Sequence, residues 1–181
     1  MNSVKFIMLI YLFTGCDVVY ASTSAKVSVG PVAAESKYGK LDQDYRMLRE
    51  HKFIVNFSLE PFFNELPVKS RPNNLETRVN KDIVLPLIKV MAELQETGLI
   101  REIVSFHGCY ASRAIREIDR PSTHAFGLAC DFNAYQGVRF SKPFIEILEK
   151  YGWVWGGSWC KRKDKMHFSY AWERRGKCAL F

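Results

Sequence analysis

The chain has no apolar run long enough to cross a bilayer. Its N-terminal run, Phe6 to Phe13, falls well short of the roughly 20 residues that a membrane helix needs. It also lacks any Cys-x-x-Cys pair, so the usual spacing of a four-cysteine structural zinc site is missing. No basic stretch interleaved with aromatics is present, and nucleic acid is excluded as the expected partner. There is no internal repeat and no low-complexity tract. The net charge is +7, with the basic residues scattered apart from clusters at 161 to 165 and at Arg174, Arg175 and Lys177. In an exported protein such a balance points to anionic wall polymers or lipid surfaces.

Export is what the first residues suggest. Lys5, the apolar run and a small-residue pattern at Val19-Tyr20-Ala21 read as a signal peptide over residues 1 to 21, and hence a destination in the periplasm or at the cell wall. A rival reading takes Phe13-Thr14-Gly15-Cys16 as a lipoprotein signal. Membrane anchoring is expected only if Cys16 is lipidated. Removal of the 21 residues leaves 160 of 181, enough for one domain with a sizeable core. Residues 22 to 50 are small and polar and read as a flexible lead-in, with the functional domain over 51 to 181 and a monomer as the expected state.

Four cysteines would remain: Cys109, Cys130, Cys160 and Cys178. An even number in an oxidising compartment suggests two disulfides. Cys109 with Cys130 and Cys160 with Cys178 is one of the three possible pairings.

Periodicity predicts a helix over 81 to 97, with Ile83, Val84, Leu87, Ile88, Met91 and Leu94 on one face and Gly98 as the stop. Pro86 predicts a start near residue 83 or a kink. Residues 52 to 79, with three prolines, read as short strands and loops, and Ile100 to Phe106 as a strand. A second helix fits Ser141 to Tyr151, capped by Ser141, with Pro143 in its first turn and Gly152 beyond its end.

The chemistry is concentrated in Ser122-Thr-His-Ala-Phe-Gly-Leu-Ala-Cys-Asp131 and Asp164-Lys-Met-His-Phe168. On a short strand after Gly127, Ala129 and Asp131 share one face while Leu128, Cys130 and Phe132 share the other. A second strand would present His167 in the same way. His124, Asp131 and His167 could then supply three ligands to a Zn2+ ion and leave a fourth position for water, as a catalytic zinc requires. Asp164 would stay free as a general base, provided that the loop from Cys160 turns it towards the cleft. The duller readings are a packed histidine and, for Asp164, an ion-pair loop with Lys161, Arg162, Lys163 and Lys165.

These motifs resemble a known family. Ser122, His124, Gly127, Ala129 and Asp131, then Gly152 to Trp159, then Asp164, His167 and Phe168 are similar to the D-alanyl-D-alanine carboxypeptidases, a family of zinc peptidases that includes L-alanyl-D-glutamate endolysins and the vancomycin-resistance dipeptidases. The likeness covers roughly residues 100 to 170. It implies an α+β fold of the hedgehog/DD-peptidase kind, a small, mostly antiparallel sheet flanked by helices, and a peptidoglycan stem peptide as substrate. It also implies His124, Asp131 and His167 as ligands and Asp164 as the acid/base. The dipeptidase branch has glutamate at that last position, so the aspartate places this chain nearer the endopeptidase and carboxypeptidase branches.

By the same resemblance Arg113 would polarise the scissile carbonyl or hold the substrate carboxylate, with Arg120 in reserve. The alternative for Arg113 is a surface position on a helix over 112 to 118. Ser122 and Trp155 complete the substrate-side candidates, Ser122 as a local hydrogen-bonding residue and Trp155 as cleft wall. His107 reads as a structural histidine or a polar group of the cleft. Two further readings stand beside the peptidase: a zinc-stabilised wall-binding domain without turnover, and a secreted signalling domain of the hedgehog kind.

Overall fold

A computed structural model describes residues 31–38, 52–112, 122–135, 137, 139–160 and 162–170. The expected signal peptide with Cys16, together with Arg113, Arg120 and Cys178, lies outside the described residues.

Among the described residues, two small antiparallel sheets, three helices of eight or more residues and a single helical turn make an α+β fold. Strands β1 (Ile54–Ser58) and β2 (Glu76–Asn80) pair from Ile54↔Asn80 to Ser58↔Glu76. A turn of helix at Glu60–Phe63 and a 3-10 turn at Val68–Ser70 connect them, and Pro61, Pro67 and Pro72 keep this connection short-range and irregular. The second sheet has the order β3-β5-β4, from Ala129–Asp131, His167–Ser169 and Val154–Trp155. Its register sets Asp131 directly opposite His167.

Helix α1 (Pro31–Tyr38) lies within the expected lead-in. Its Ala34 and Tyr38 are buried, with the Tyr38 ring 5.2 Å from that of Phe53 and 6.3 Å from that of Phe126. The tyrosine hydroxyl and the Lys37 ammonium each donate to Asp82 at 2.8 Å.

Helix α2 (Lys81–Glu96) begins two residues earlier than Pro86 alone suggests and carries that proline inside it. Asn80 is the reason. Its side chain accepts from the Asp82 amide at 3.0 Å and caps the helix before the proline is reached. Ile83, Leu87, Val90, Met91 and Leu94 face the core. Helix α3 (Lys142–Lys150) has the expected Ser141 cap, itself gripped by Glu102, which accepts from the Ser141 amide at 2.8 Å and hydroxyl at 2.6 Å. Glu93 of α2 ties the end of α3 through Lys150 at 2.7 Å and Tyr151 at 2.6 Å.

The strand expected over Ile100 to Phe106 is not formed as such. Leu99–Glu102 is a 3-10 turn, which buries Ile100 and Ile103 at a spacing of three. Only Phe106 bridges, to Phe132. Asn133 displaces the ladder: its side-chain oxygen accepts from the Val104 and Ser105 amides at 2.8 and 3.0 Å, and its amide nitrogen donates to the Glu102 carbonyl at 2.7 Å. One buried side chain thereby does the pairing that a neighbouring strand would have done.

Candidate metal centre

Asp131 and His167 face each other on adjacent strands. Cys130 and Phe168, the next opposite pair, turn to the other side of the sheet. Phe168 is wholly buried there, among Phe132, Phe140 and Phe144. The aromatic core thus anchors both strands and leaves the two polar residues on the opposite face. His124 comes from a 3-10 turn, Thr123–Phe126, capped by Ser122 and closed by Gly127 at φ +64°. A side chain at 127 would meet the Asn80 amide nitrogen at 2.7 Å, so glycine is required by contact as well as by backbone angle. The Asn80 amides bind the Gly127 and Phe126 carbonyls, both at 3.0 Å, and fasten the His124 turn to the start of α2.

The three side chains meet in a nearly equilateral triangle. His124 Nε2 is 3.1 Å from Asp131 Oδ1 and 3.0 Å from His167 Nδ1, and His167 Nδ1 is 3.2 Å from Asp131 Oδ1. All three residues are buried. His124 Nδ1 lies 3.1 Å from the Cys109 carbonyl. A carbonyl only accepts, so Nδ1 donates to it, and Nε2 is the ring atom turned towards Asp131 and His167. The three converging atoms could hold a metal ion between them. The separations agree with one: a point about 2.0–2.1 Å from all three atoms, the usual zinc bond length, lies about 1 Å off their plane. Two imidazoles and one carboxylate form a donor set that suits zinc.

Burial pushes the Asp131 carboxyl up, but hydrogen bonds and charge from His124 and His167 outweigh it and hold the group well below the usual carboxylate range. The aspartate is therefore ionised, as a ligand must be.

Support comes from residues around the triangle, some of them expected and some not. The Cys109 carbonyl orients His124, and the Thr123 hydroxyl lies 3.3 Å from His167 Nε2. Trp159, buried, sets its ring 5.3 Å from that of His167. Cys109 is joined to Cys130 in a disulfide. Cys160 is disulfide-bonded as well, and its expected partner Cys178 lies outside the described residues. Thr123 sits between two motif positions and carries no spacing signal of its own. The carbonyl of Cys109 is invisible to any reading of side chains.

Asp164 is not one of the three converging residues and lies in the loop before β5. Its amide donates to the Gly156 carbonyl at 3.1 Å, and its own carbonyl accepts from the His167 amide at 3.3 Å. A side chain at 156 would strike the Asp164 carbonyl at 2.5 Å, so the glycine lets this loop close onto the sheet. Trp155 donates its indole N–H to the Lys165 carbonyl at 2.8 Å and so braces the same turn. Ser122 is buried and accepts from the His124 amide at 3.3 Å, a local hydrogen-bonding part. Arg113 and Arg120 lie outside the described residues.

With this geometry established, comparison with known proteins adds one match. Residues 117–170 fit the family model described as D-alanyl-D-alanine carboxypeptidase, a span that holds His124, Asp131, Asp164 and His167. The match supports a peptidase of the D-alanyl-D-alanine carboxypeptidase kind. No curated protein and no solved structure matches the chain.

Proposed function

We propose that this protein is a zinc-dependent peptidase that cleaves peptidoglycan stem peptides, exported to the periplasm or the cell wall. The observation that carries the reading is the triangle of His124 Nε2, Asp131 Oδ1 and His167 Nδ1 with sides of 3.0–3.2 Å, inside the segment that matches the peptidase family.

His124, Asp131 and His167 would hold the ion. A zinc held there would supply a coordinated water of lowered pKa and a Lewis acid for a peptide carbonyl. The Asp164 carboxylate takes the proton from the attacking water and returns it to the leaving amine. Among the described residues it has no hydrogen-bond or ion-pair partner, which favours this role over a solvated ion-pair loop with its basic neighbours. Arg113 is assigned the developing oxyanion, since a guanidinium stays charged and binds two oxygens at once.

The test is a purified, zinc-loaded chain given stem peptides that contain D-amino acids, with and without a chelator. New amines or released alanine are expected only with metal present. Binding to wall fragments without any new amine would point instead to a wall-binding domain.

A further inference from the structure

His107 is not one of the three converging residues, yet it stands beside Asp131 in the sheet. Phe106 and Phe132 bridge and send their rings, 5.3 Å apart, into the core. The flanking bonds are those of an antiparallel pair: the His107 amide donates to the Asp131 carbonyl at 2.9 Å, and the Asn133 amide donates to the Ser105 carbonyl at 3.0 Å. Since side chains alternate along each segment, Ser105 and His107 lie on the face opposite Phe106, the face that Asp131 also occupies.

Along that face the polar groups are already joined. The Ser105 hydroxyl lies 3.0 Å from His107 Nε2, and the Tyr135 ring packs edge-to-face on the His107 ring at 4.8 Å. Tyr135 is 85 % exposed. A single exposed aromatic means little by itself. This one is held on edge by an imidazole whose backbone pairs with a residue of the metal triangle. The strip presents an aromatic face together with hydroxyl and imidazole groups, and none of its three side chains is a carboxylate, ammonium or guanidinium group. Such a surface matches an uncharged, hydroxyl-rich and amide-rich ring better than a carboxylate or an ammonium group.

From this we infer that Ser105, His107 and Tyr135 form a substrate-binding strip that takes an amino-sugar ring carried by the peptide. The inference rests on the peptidase reading and adds to it that the preferred substrate is a stem peptide still attached to its glycan.

The experiment uses the zinc-loaded full chain and two substrates, a stem tetrapeptide and the same peptide on its amino-sugar disaccharide. The wild type is expected to show a higher kcat/KM on the sugar-bearing form. That preference should fall about tenfold, through KM, in Tyr135→Ala and in His107→Ala, and should survive in Tyr135→Phe. Zinc content should be equal in all variants. A wild type with no preference, or a preference untouched by both alanine substitutions, would overturn the inference. If the wild type cuts neither substrate, it is the peptidase reading that fails. The strip is then decided by calorimetric titration with the uncut disaccharide peptide: weaker binding by Tyr135→Ala upholds it, and equal binding refutes it.

Discussion

The carbonyl oxygen of Cys109 accepts the Nδ1 proton of His124 at 3.1 Å, and the same cysteine is bonded through sulfur to Cys130, the residue before Asp131. One cross-link therefore stands behind two of the three converging side chains. The segment is held at further points: the Cys109 amide donates to the Thr77 hydroxyl at 3.0 Å, the Ala111 amide to the His124 carbonyl at 3.1 Å, and the Asp131 amide to the Gly108 carbonyl at 3.1 Å. Loss of a partner that orients a metal-bound histidine typically weakens metal affinity by about 10–100-fold. The double variant Cys109→Ala/Cys130→Ala should show a loss of that size in competition with a chromogenic chelator, beyond any drop in melting temperature. An unchanged affinity in a folded variant would leave the disulfide a purely structural staple.

Asp164 and the metal triangle should separate cleanly by mutation. Asp164→Asn keeps the size of the side chain and removes its basicity. Turnover should fall by about 10²–10⁴, the usual range for a general acid/base, while zinc content by atomic absorption stays at the wild-type level. Loss of the metal together with activity would show that Asp164 is a ligand.

Gly127→Ala is expected to destabilise the fold and not only the site. The residue sits at φ +64° and would drive a methyl group to 2.7 Å from the Asn80 nitrogen, where Asn80 both caps α2 and holds the His124 turn. A strained backbone angle of this kind costs on the order of 1–3 kcal/mol before the contact is counted. Urea denaturation should show a lower midpoint with an unchanged slope.

Helix α1 should respond to pH at both ends of the scale. Burial raises the Tyr38 hydroxyl to about 12. Its neutral form is the one favoured in the fold, so its contribution is complete below pH ~10, the ordinary value, and fades as pH rises through about 12. Burial pushes the Asp82 carboxyl up, but hydrogen bonds from Lys37 and Tyr38 outweigh it and leave it lowered. That contribution is present above the ordinary carboxylate range and lost as pH falls through the lowered value. The protection of residues 31–38 against hydrogen exchange, taken relative to the intrinsic rate at each pH, should fall at both extremes. In Tyr38→Phe the alkaline loss of protection should disappear.

What sequence reading could reach depended on whether local pattern decided the outcome. The α3 helix was legible because Ser141, Pro143 and Gly152 punctuate it and its apolar residues have one period. The converging trio was legible because alternation on two short strands fixes which side chains share a face. Periodicity places the start of α2 at residue 81, where Asn80 caps it, but the choice between that start and one near 83 and the turn at Leu99–Glu102 were not legible, because each involves one asparagine. Asn80 caps from a strand end, and Asn133 reaches back about thirty residues to take the amides of Val104 and Ser105. Helix α1 was hidden for a similar reason. Its hold on the protein is the long-range contact of Tyr38 with Phe53, Phe126 and Asp82, which composition cannot show.

The most direct test is the metal stoichiometry of the purified chain and of His124→Ala, Asp131→Ala and His167→Ala, each checked for folding by circular dichroism. One zinc per wild-type chain, with loss of tight binding in all three folded variants, is the predicted result. A wild type that binds no divalent metal, or an Asp131→Ala variant that keeps its zinc with undiminished affinity, would contradict it.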